Sequence, residues 1–173
     1  LEYIDTYAFS GCSGLTGSLT IPGGVKVISS YAFDNCGFTG NLTLPMGLTE
    51  IQSYAFSYTK FKGELNIPST VTTIGARAFA TTEFNGTLVL PEELISLGSY
   101  VFEGCRRLSG VVEIPENVVA IPSALFSGCS NIEGIVLHKD IEVIESYAFA
   151  HCYYVSSIVC KAKNPPTIAS NSF

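Results

Sequence analysis

The chain has 173 residues, of which 47% are hydrophobic and only 14% are charged, and its formal net charge is −6. This length and composition allow a sizeable buried core, while no apolar run approaches the roughly 18 residues that a membrane-spanning helix needs. An acidic chain with two adjacent arginines, Arg106 and Arg107, lacks the clustered basic surface that nucleic-acid phosphates require. We therefore expect no nucleic-acid partner and no membrane span in this segment.

A six-residue motif recurs along the whole chain: ISSYAF returns as IQSYAF, as IESYAF and in weaker forms. The phenylalanines that end the copies are Phe9, Phe33, Phe56, Phe79, Phe102, Phe126, Phe149 and Phe173. Neighbouring members are 23 or 24 residues apart, a period typical of solenoids that are built from one supersecondary unit per repeat. The sequence thus predicts one solenoid domain over residues 1–173, with the phenylalanines as its internal spine.

In chain order, each repeat begins with a segment that alternates apolar and polar residues and ends at proline. The clear copies are LTGSLTIP, FTGNLTLP, FKGELNIP, FNGTLVLP and LSGVVEIP, and the degenerate IEGIVLHK and VSSIVCKA follow. Alternation such as Leu65 and Ile67 is the period of a strand with one buried face. Proline cannot donate a ladder hydrogen bond. Seven short strands, each stopping at its proline position, are predicted.

After the proline position, each repeat continues with a turn, an inward pair such as Val71 and Ile74, and a tight bend or single helical turn around Ala-Phe. The predicted fold class is a β/α repeat solenoid with one short parallel strand in each repeat of 23 to 24 residues. Leu1 stands in the column of Val25 and Val71, so we expect the chain to start in mid-repeat and to be truncated at its N-terminal end.

The register of L-x-I-P, then V-x-x-I, then Y-A-F-x-x-C resembles the BspA-like leucine-rich repeats of bacterial surface proteins, which also occur in some protozoa, over essentially all of the chain. The final CKAKNPPTIASNSF further resembles the last repeat of such arrays in Bacteroides-type gut proteins. The resemblance implies a right-handed leucine-rich-repeat superhelix, a place at the cell surface or in a secreted or periplasmic form, and a role in adhesion or host-protein binding. Five copies read apolar-xxx-Leu where the general leucine-rich pattern has Leu-xx-Leu. This departure bears on the detailed loop geometry and not on the solenoid.

The six cysteines are enough for a disulfide framework, but their positions favour a row of buried thiols. Five of them lie three residues after a motif phenylalanine: Cys12, Cys36, Cys105, Cys129 and Cys152. Thr59 and Thr82 stand in the same column, and a column that accepts threonine favours a small core residue. Cys160 takes a strand position equivalent to Ile21, again a predicted core site. Free cysteine behaves as a small hydrophobe, so we expect reduced thiols, with a disulfide framework as the alternative.

Catalytic and metal-binding motifs are absent from the sequence: there is no CxxC, no HExxH and no glycine loop for phosphate. A metal site at His151, Cys152 and Cys160 is conceivable, but a bend followed by core cysteines explains these residues better. The glutamates that follow strand ends, Glu92, Glu93 and Glu116, are expected in solvated turns. We therefore expect no cofactor, no metal and no enzymatic activity.

Tyrosine precedes the Ala-Phe position in most repeats: Tyr7, Tyr31, Tyr54, Tyr100 and Tyr147. Arg77 fills the gap between Tyr54 and Tyr100, so stacked coils would place its guanidinium between two rings. We interpret the column as a structural stack, and an aromatic binding ladder is the alternative.

The outward strand positions change character along the array. They are small and polar in the first half, as at Thr20, Thr43 and Asn66, and rich in valine in the second. An exposed apolar patch is typical of a recognition surface, and the candidate binding residues are Val89, Val111, Glu113, Val136 and Val159. The chain is interpreted as a monomeric surface module that binds an extracellular protein or glycan of host or neighbouring cells. The alternative is a rigid spacer or assembly segment without a ligand of its own.

Overall fold

The computed structural model describes all 173 residues and contains fourteen short strands. One set lies in the segments before the proline positions: β2 (Leu19–Thr20), β4 (Leu42–Thr43), β7 (Gly86–Thr87), β9 (Leu108–Glu113), β11 (Ile132–Leu137) and β13 (Ser157–Cys160). The other set lies after them: β1 (Tyr3–Ile4), β3 (Val27–Ile28), β5 (Glu50–Ile51), β6 (Thr73–Ile74), β8 (Ser96–Leu97), β10 (Ala120–Ile121), β12 (Val143–Ile144) and β14 (Thr167–Ile168). We call these sets the pre-proline face and the post-proline face.

The pre-proline face is a row of parallel strands from successive coils. β2 pairs with β4, and β7, β9, β11 and β13 form a four-stranded sheet in that spatial order. The coil between β4 and β7 contributes only an isolated bridge from Glu64 to Asn85. Counting this bridge, seven coils follow one another, and we number them by their pre-proline segments. The fourth coil therefore carries β7 and the fifth carries β9.

The post-proline face is a second row of parallel strands, which the sequence did not predict. β1, β3, β5, β6 and β8 form one sheet, and β10, β12 and β14 form another. In β3, β5 and β6 the second of the two residues is buried: Ile28, Ile51 and Ile74. The prediction of one strand per repeat was incomplete, because two residues are too few to show an alternation.

The β/α class is wrong for this chain, because the structure contains no helix and the Ala-Phe bends are turns. In a typical bend, the amides of Tyr54, Phe56 and Tyr58 each donate to a carbonyl of the next coil at 2.9 Å. The intervening amides of Ala55 and Ser57 donate to carbonyls three residues back, at 3.2 and 3.3 Å. Every second amide is thus used between coils, whereas a helix would use all of them within the segment.

The bends hold this arrangement through residues with positive φ at both of their ends. Tyr54 and Tyr58 have φ values of 60° and 55°, in the left-handed region. The first position is left-handed in seven coils: Tyr7, Tyr31, Tyr54, Arg77, Tyr100, Ala124 and Tyr147. A left-handed residue other than glycine costs roughly 1–2 kcal/mol, and the coil-to-coil hydrogen bonds offset that cost.

The core is a continuous column of phenylalanine rings, as the repeat predicts. Rings of consecutive members stack with centroids between 5.2 and 6.0 Å apart, from Phe9 to Phe173. Four central members, Phe56, Phe79, Phe102 and Phe126, have no exposed surface. A second, shorter column of Phe38, Phe61 and Phe84 meets the first edge to face. These rings fix the coils in phase, so that equivalent exposed side chains line up along the faces.

Candidate interaction surface

Four of the five predicted binding residues lie in strands of the pre-proline face, and the fifth, Val89, follows β7 in the fourth coil. In the β9–β11–β13 sheet, Val136 is directly opposite Glu113 on one side and Val159 on the other. Val89 and Val111 expose 70% and 46% of their surfaces, and Val136 is half-buried. Glu113, Val136 and Val159 thus form one row across three strands, and the role of the five residues in binding stays a prediction.

One neighbouring position differs from the predicted pattern. Gly134 occupies the same column of the repeat as Val111, which the sequence predicts to face outward, but Gly134 is buried. A Cβ atom at Gly134 would lie 2.8 Å from the Ser157 hydroxyl and 3.3 Å from Cγ2 of Val111, so these two side chains close over the glycine. The apolar surface of Val111 therefore extends toward the sixth coil.

A groove of about 690 Å³ lies on this face at the fourth and fifth coils. Val89, Val111 and Glu113 line it, whereas Val136 and Val159 do not. Its volume falls within the usual range of ligand clefts, on the order of 300–1,000 Å³. The structure thus divides the predicted site into a groove and an adjoining row of the sheet.

Acidic residues that were assigned to solvated turns also line this groove. Glu92 and Glu93 come from the turn of the fourth coil, and Glu116 comes from the equivalent turn of the fifth. The Asn117 amide donates to the backbone carbonyl of Glu92 at 3.4 Å and so joins the two turns. Sequence reasoning missed this cluster because it considered each turn separately. The signal was present, since these turns are equivalent and belong to consecutive repeats.

Two exposed apolar residues follow the same turns on the post-proline side. Ile95 and Val119 expose 66% and 43% of their surfaces. They occupy one column of the repeat, in which Lys26, Thr49 and Thr72 precede them. The sequence analysis did not single them out, although the change from polar to apolar occurs at the same two coils as the groove.

The tyrosine column stacks as predicted from Tyr7 to Tyr100, whereas Ala124 separates Tyr147 from the stack. The rings of Tyr7, Tyr31 and Tyr54 are parallel, with centroid separations of 4.7 and 4.5 Å. The Arg77 guanidinium carbon lies 6.0 Å from the centre of the Tyr54 ring and 4.1 Å from that of Tyr100, between the two. The ring faces within this stack are occupied by one another, which leaves mainly ring edges for a ligand.

The thiols of the cysteine column are hydrogen-bonded donors. Sγ of Cys36, Cys105, Cys129 and Cys152 each donates to a phenylalanine carbonyl of the preceding coil at 2.9–3.1 Å. Burial raises the pKa of all four, that of Cys129 well above its usual value and that of Cys152 to about 11. A protonated thiol is a poor nucleophile and a poor metal ligand. This column is therefore structural.

The core assignment of Cys160 is wrong. Cys160 is exposed, and so is Ile158 in the same strand, because β13 pairs with β11 on one side only. Cys12 is exposed as well, in the first coil. No three His, Cys, Asp or Glu side chains are arranged to hold a metal ion, and His151 instead lies 3.0 Å from the Tyr153 hydroxyl. The structure also has no helix long and apolar enough to cross a membrane.

Comparison with known families identifies the repeat. The profile described as "BspA type Leucine rich repeat region" matches residues 1–109 and 85–173, with six copies. No curated protein matches the chain.

Solved structures show the same architecture. A leucine-rich repeat protein from Bacteroides ovatus is 26% identical with a TM-score of 0.79, over 96% of this chain and 41% of that one. A T. pallidum leucine-rich repeat protein is 28% identical with a TM-score of 0.72, over 90% of this chain and 72% of that one. A leucine-rich repeat protein from Eubacterium ventriosum, 22% identical over 89% of this chain and 56% of that one, shares the fold with a TM-score of 0.60. The chain thus spans less than half the length of the Bacteroides protein.

Proposed function

The chain belongs to the family of BspA-type leucine-rich repeats, and on that premise we propose that it is a binding module that holds another protein on its pre-proline face. Repeat families of this kind are protein-interaction scaffolds rather than enzymes, because stacked coils create an extended surface. A fold does not assign a role by itself, so the proposal depends on the exposed residues.

The observation that carries the proposal is the change along one column of the repeat. Thr20, Thr43 and Asn66 occupy it in the first three coils, and Val89, Glu113, Val136 and Val159 occupy it afterwards. The core is equally regular in both halves, so packing does not require this change. A spacer would be served by polar residues throughout, whereas a recognition surface needs an apolar area with a polar group to orient the partner.

The setting of the module is an extracellular one: the cell surface, a secreted form or the periplasm. Its partner is an extracellular protein or glycan of host or neighbouring cells, its role is adhesion, and the chain acts as a monomer without a cofactor or catalytic residue. The tyrosine stack is structural in this proposal, because the faces of its rings already contact one another or Arg77.

The test is a binding screen of the chain against extracellular-matrix proteins and glycans, followed by substitutions. For any ligand found, Val136→Asp and Glu113→Lys should weaken binding at least tenfold, whereas Tyr54→Ala should not. If the two sheet substitutions leave affinity intact and Tyr54→Ala abolishes it, the tyrosine column is the binding surface. If no ligand is found, the alternative of a rigid spacer or assembly segment gains support.

A further inference from the structure

On the premise that the chain binds proteins, we infer that the groove of the fourth and fifth coils takes a basic segment: an apolar side chain flanked by lysine or arginine. This assigns a class of partner to one part of the pre-proline face. It also shifts the centre of recognition away from Val136 and Val159, which lie outside the groove.

The groove offers apolar surface that packing within the chain leaves uncovered. Val89 is 70% exposed and Val111 is 46% exposed. Burying exposed valine surface removes apolar area from water and so favours a complex. The equivalents of Val89 in the first three coils are polar, so the apolar area begins here.

Four carboxylates surround that apolar surface, and three of them have no ion pair. Glu92, Glu93 and Glu113 form no salt bridge, and Glu116 has only Lys139, at 3.7 Å between Nζ and the carboxylate. The groove lining therefore carries negative charge that the chain itself neutralises only at Glu116, and a cationic partner would complement it. The charge of the groove is thus complementary to lysine and arginine.

Equivalent turns elsewhere in the array lack this charge. In the first three coils the same two positions are Gly23 and Gly24, Met46 and Gly47, and Ser69 and Thr70. In the sixth coil they are Lys139 and Asp140, which pair with each other at 2.7 Å. The acidic turns therefore occur in the same two coils as the exposed valines Val89 and Val111, and not in the other coils that were compared.

Other ligand classes fit the groove less well. Nucleic acids and anionic membranes are repelled by its carboxylates, and these carboxylates are not grouped closely enough to hold a metal ion. An apolar side chain between two cationic ones matches both the valine floor and the acidic turns. The partner is therefore a Lys- or Arg-bearing protein segment.

The experiment uses a fluorescently labelled peptide, acetyl-Lys-Val-Lys-Leu-Lys-amide, and a version with glutamine in place of lysine. Anisotropy titrations should show that the lysine peptide binds at low salt, that its affinity falls at least tenfold at high salt, and that the glutamine version binds at least tenfold more weakly.

Two matched triple variants locate the site. Glu92→Gln with Glu93→Gln and Glu113→Gln should weaken binding of the lysine peptide at least tenfold. Glu2→Gln with Glu133→Gln and Glu142→Gln removes the same charge outside the groove and should change affinity less than twofold. Equal losses in both variants, or no lysine-peptide binding to the unmodified chain, would overturn the inference.

A second pair of variants tests the apolar floor. Val89→Thr with Val111→Thr installs a residue that the repeat already carries at Thr43, in the column of Val89, and at Thr87, in the column of Val111. This variant should weaken binding of the lysine peptide but not of a pentalysine control. Equal effects on both peptides would show that the valines do not contact the apolar side chains of the lysine peptide. The peptide experiments could fail while the screen of matrix proteins yields a ligand whose binding is weakened by Val136→Asp. That outcome would refute the inference about the groove and would support the proposed function.

Discussion

The guanidinium carbon of Arg77 lies 4.1 Å from the centre of the Tyr100 ring, in a column that tyrosine occupies in most other coils. Arg77 also forms an ion pair with Glu103. The Arg77 side chain is 26% exposed and that of Glu103 is 33% exposed. One cation therefore replaces a ring in the stack and pairs with an acid.

A double-mutant cycle between Arg77→Ala and Tyr100→Ala should give a coupling free energy of about 0.5–1 kcal/mol from the contact of cation and ring. The free energies of unfolding in urea provide the measurement. The control cycle joins Arg107 and Glu83, an exposed pair at 3.4 Å, for which coupling near zero is expected. Additive single effects for Arg77 and Tyr100 would show that the guanidinium contributes nothing by lying on the ring.

Removal of one spine ring should destabilise the whole array. Phe79 is fully buried between Phe56 and Phe102, so Phe79→Ala should lower the free energy of unfolding by about 3–5 kcal/mol. The same change at Phe9, a residue that is 42% exposed, should cost clearly less. An unchanged thermal midpoint for Phe79→Ala would show that the phenylalanine column does not stabilise the core.

Glycine in place of a left-handed threonine should stabilise the chain. Thr81 has a φ of 57°, and glycine already holds the equivalent position at Gly104 and Gly128. Thr81→Gly should therefore raise the free energy of unfolding by about 0.5–1 kcal/mol, because the relieved backbone strain exceeds the added chain entropy.

The matched control is Thr39→Gly, at an exposed position without positive φ, which should lower stability by about 0.5–1 kcal/mol. Chemical denaturation measures both variants. If Thr81→Gly and Thr39→Gly both lower the free energy of unfolding, glycine relieves no backbone strain at the left-handed position of the bend.

The thiol of Cys152 should make stability depend on pH above 9. Its ordinary pKa of 9.0 applies to the unfolded chain, whereas burial raises the pKa in the fold to about 11. The folded state holds the proton more tightly, so this contribution to stability is complete below pH 9 and is lost as the pH rises toward 11.

The control for this effect is Cys152→Thr, since Thr59 and Thr82 already occupy that column. The difference in unfolding free energy between the unmodified chain and the variant should shrink between pH 9 and 11. Parallel curves would show that Cys152 ionises alike in both states.

The buried cysteines should also react slowly while the chain is folded. Cys36, Cys105 and Cys129 are buried, whereas Cys12 and Cys160 are exposed. A chromogenic disulfide reagent near neutral pH should therefore modify two thiols quickly and all six after denaturation without reductant. Fewer than six in the denatured chain would establish disulfides, the alternative that the sequence left open.

The phenylalanine spine was predictable because one residue type recurs in one phase, and that recurrence survives the 23- or 24-residue spacing. The post-proline strands were not, because each is two residues long and its pairing partner lies in another coil. The same limit applies to the groove. Val89 and Glu113 were found along their own strands, but Glu92 and Glu116 become neighbours only when the coils are stacked.

The three rows of hydrogen bonds, one on each face and one along the bends, also determine how the array would respond to a pull along its axis. The post-proline row is interrupted between β8 and β10, so two rows carry the load at that junction, whereas three rows share it at the others until one terminal coil peels away. Each released coil of 23 or 24 residues would add about 75 Å of extended chain. A module tethered at one end and attached to a partner at the other would thus lengthen in even steps under tension while its remaining coils stay folded.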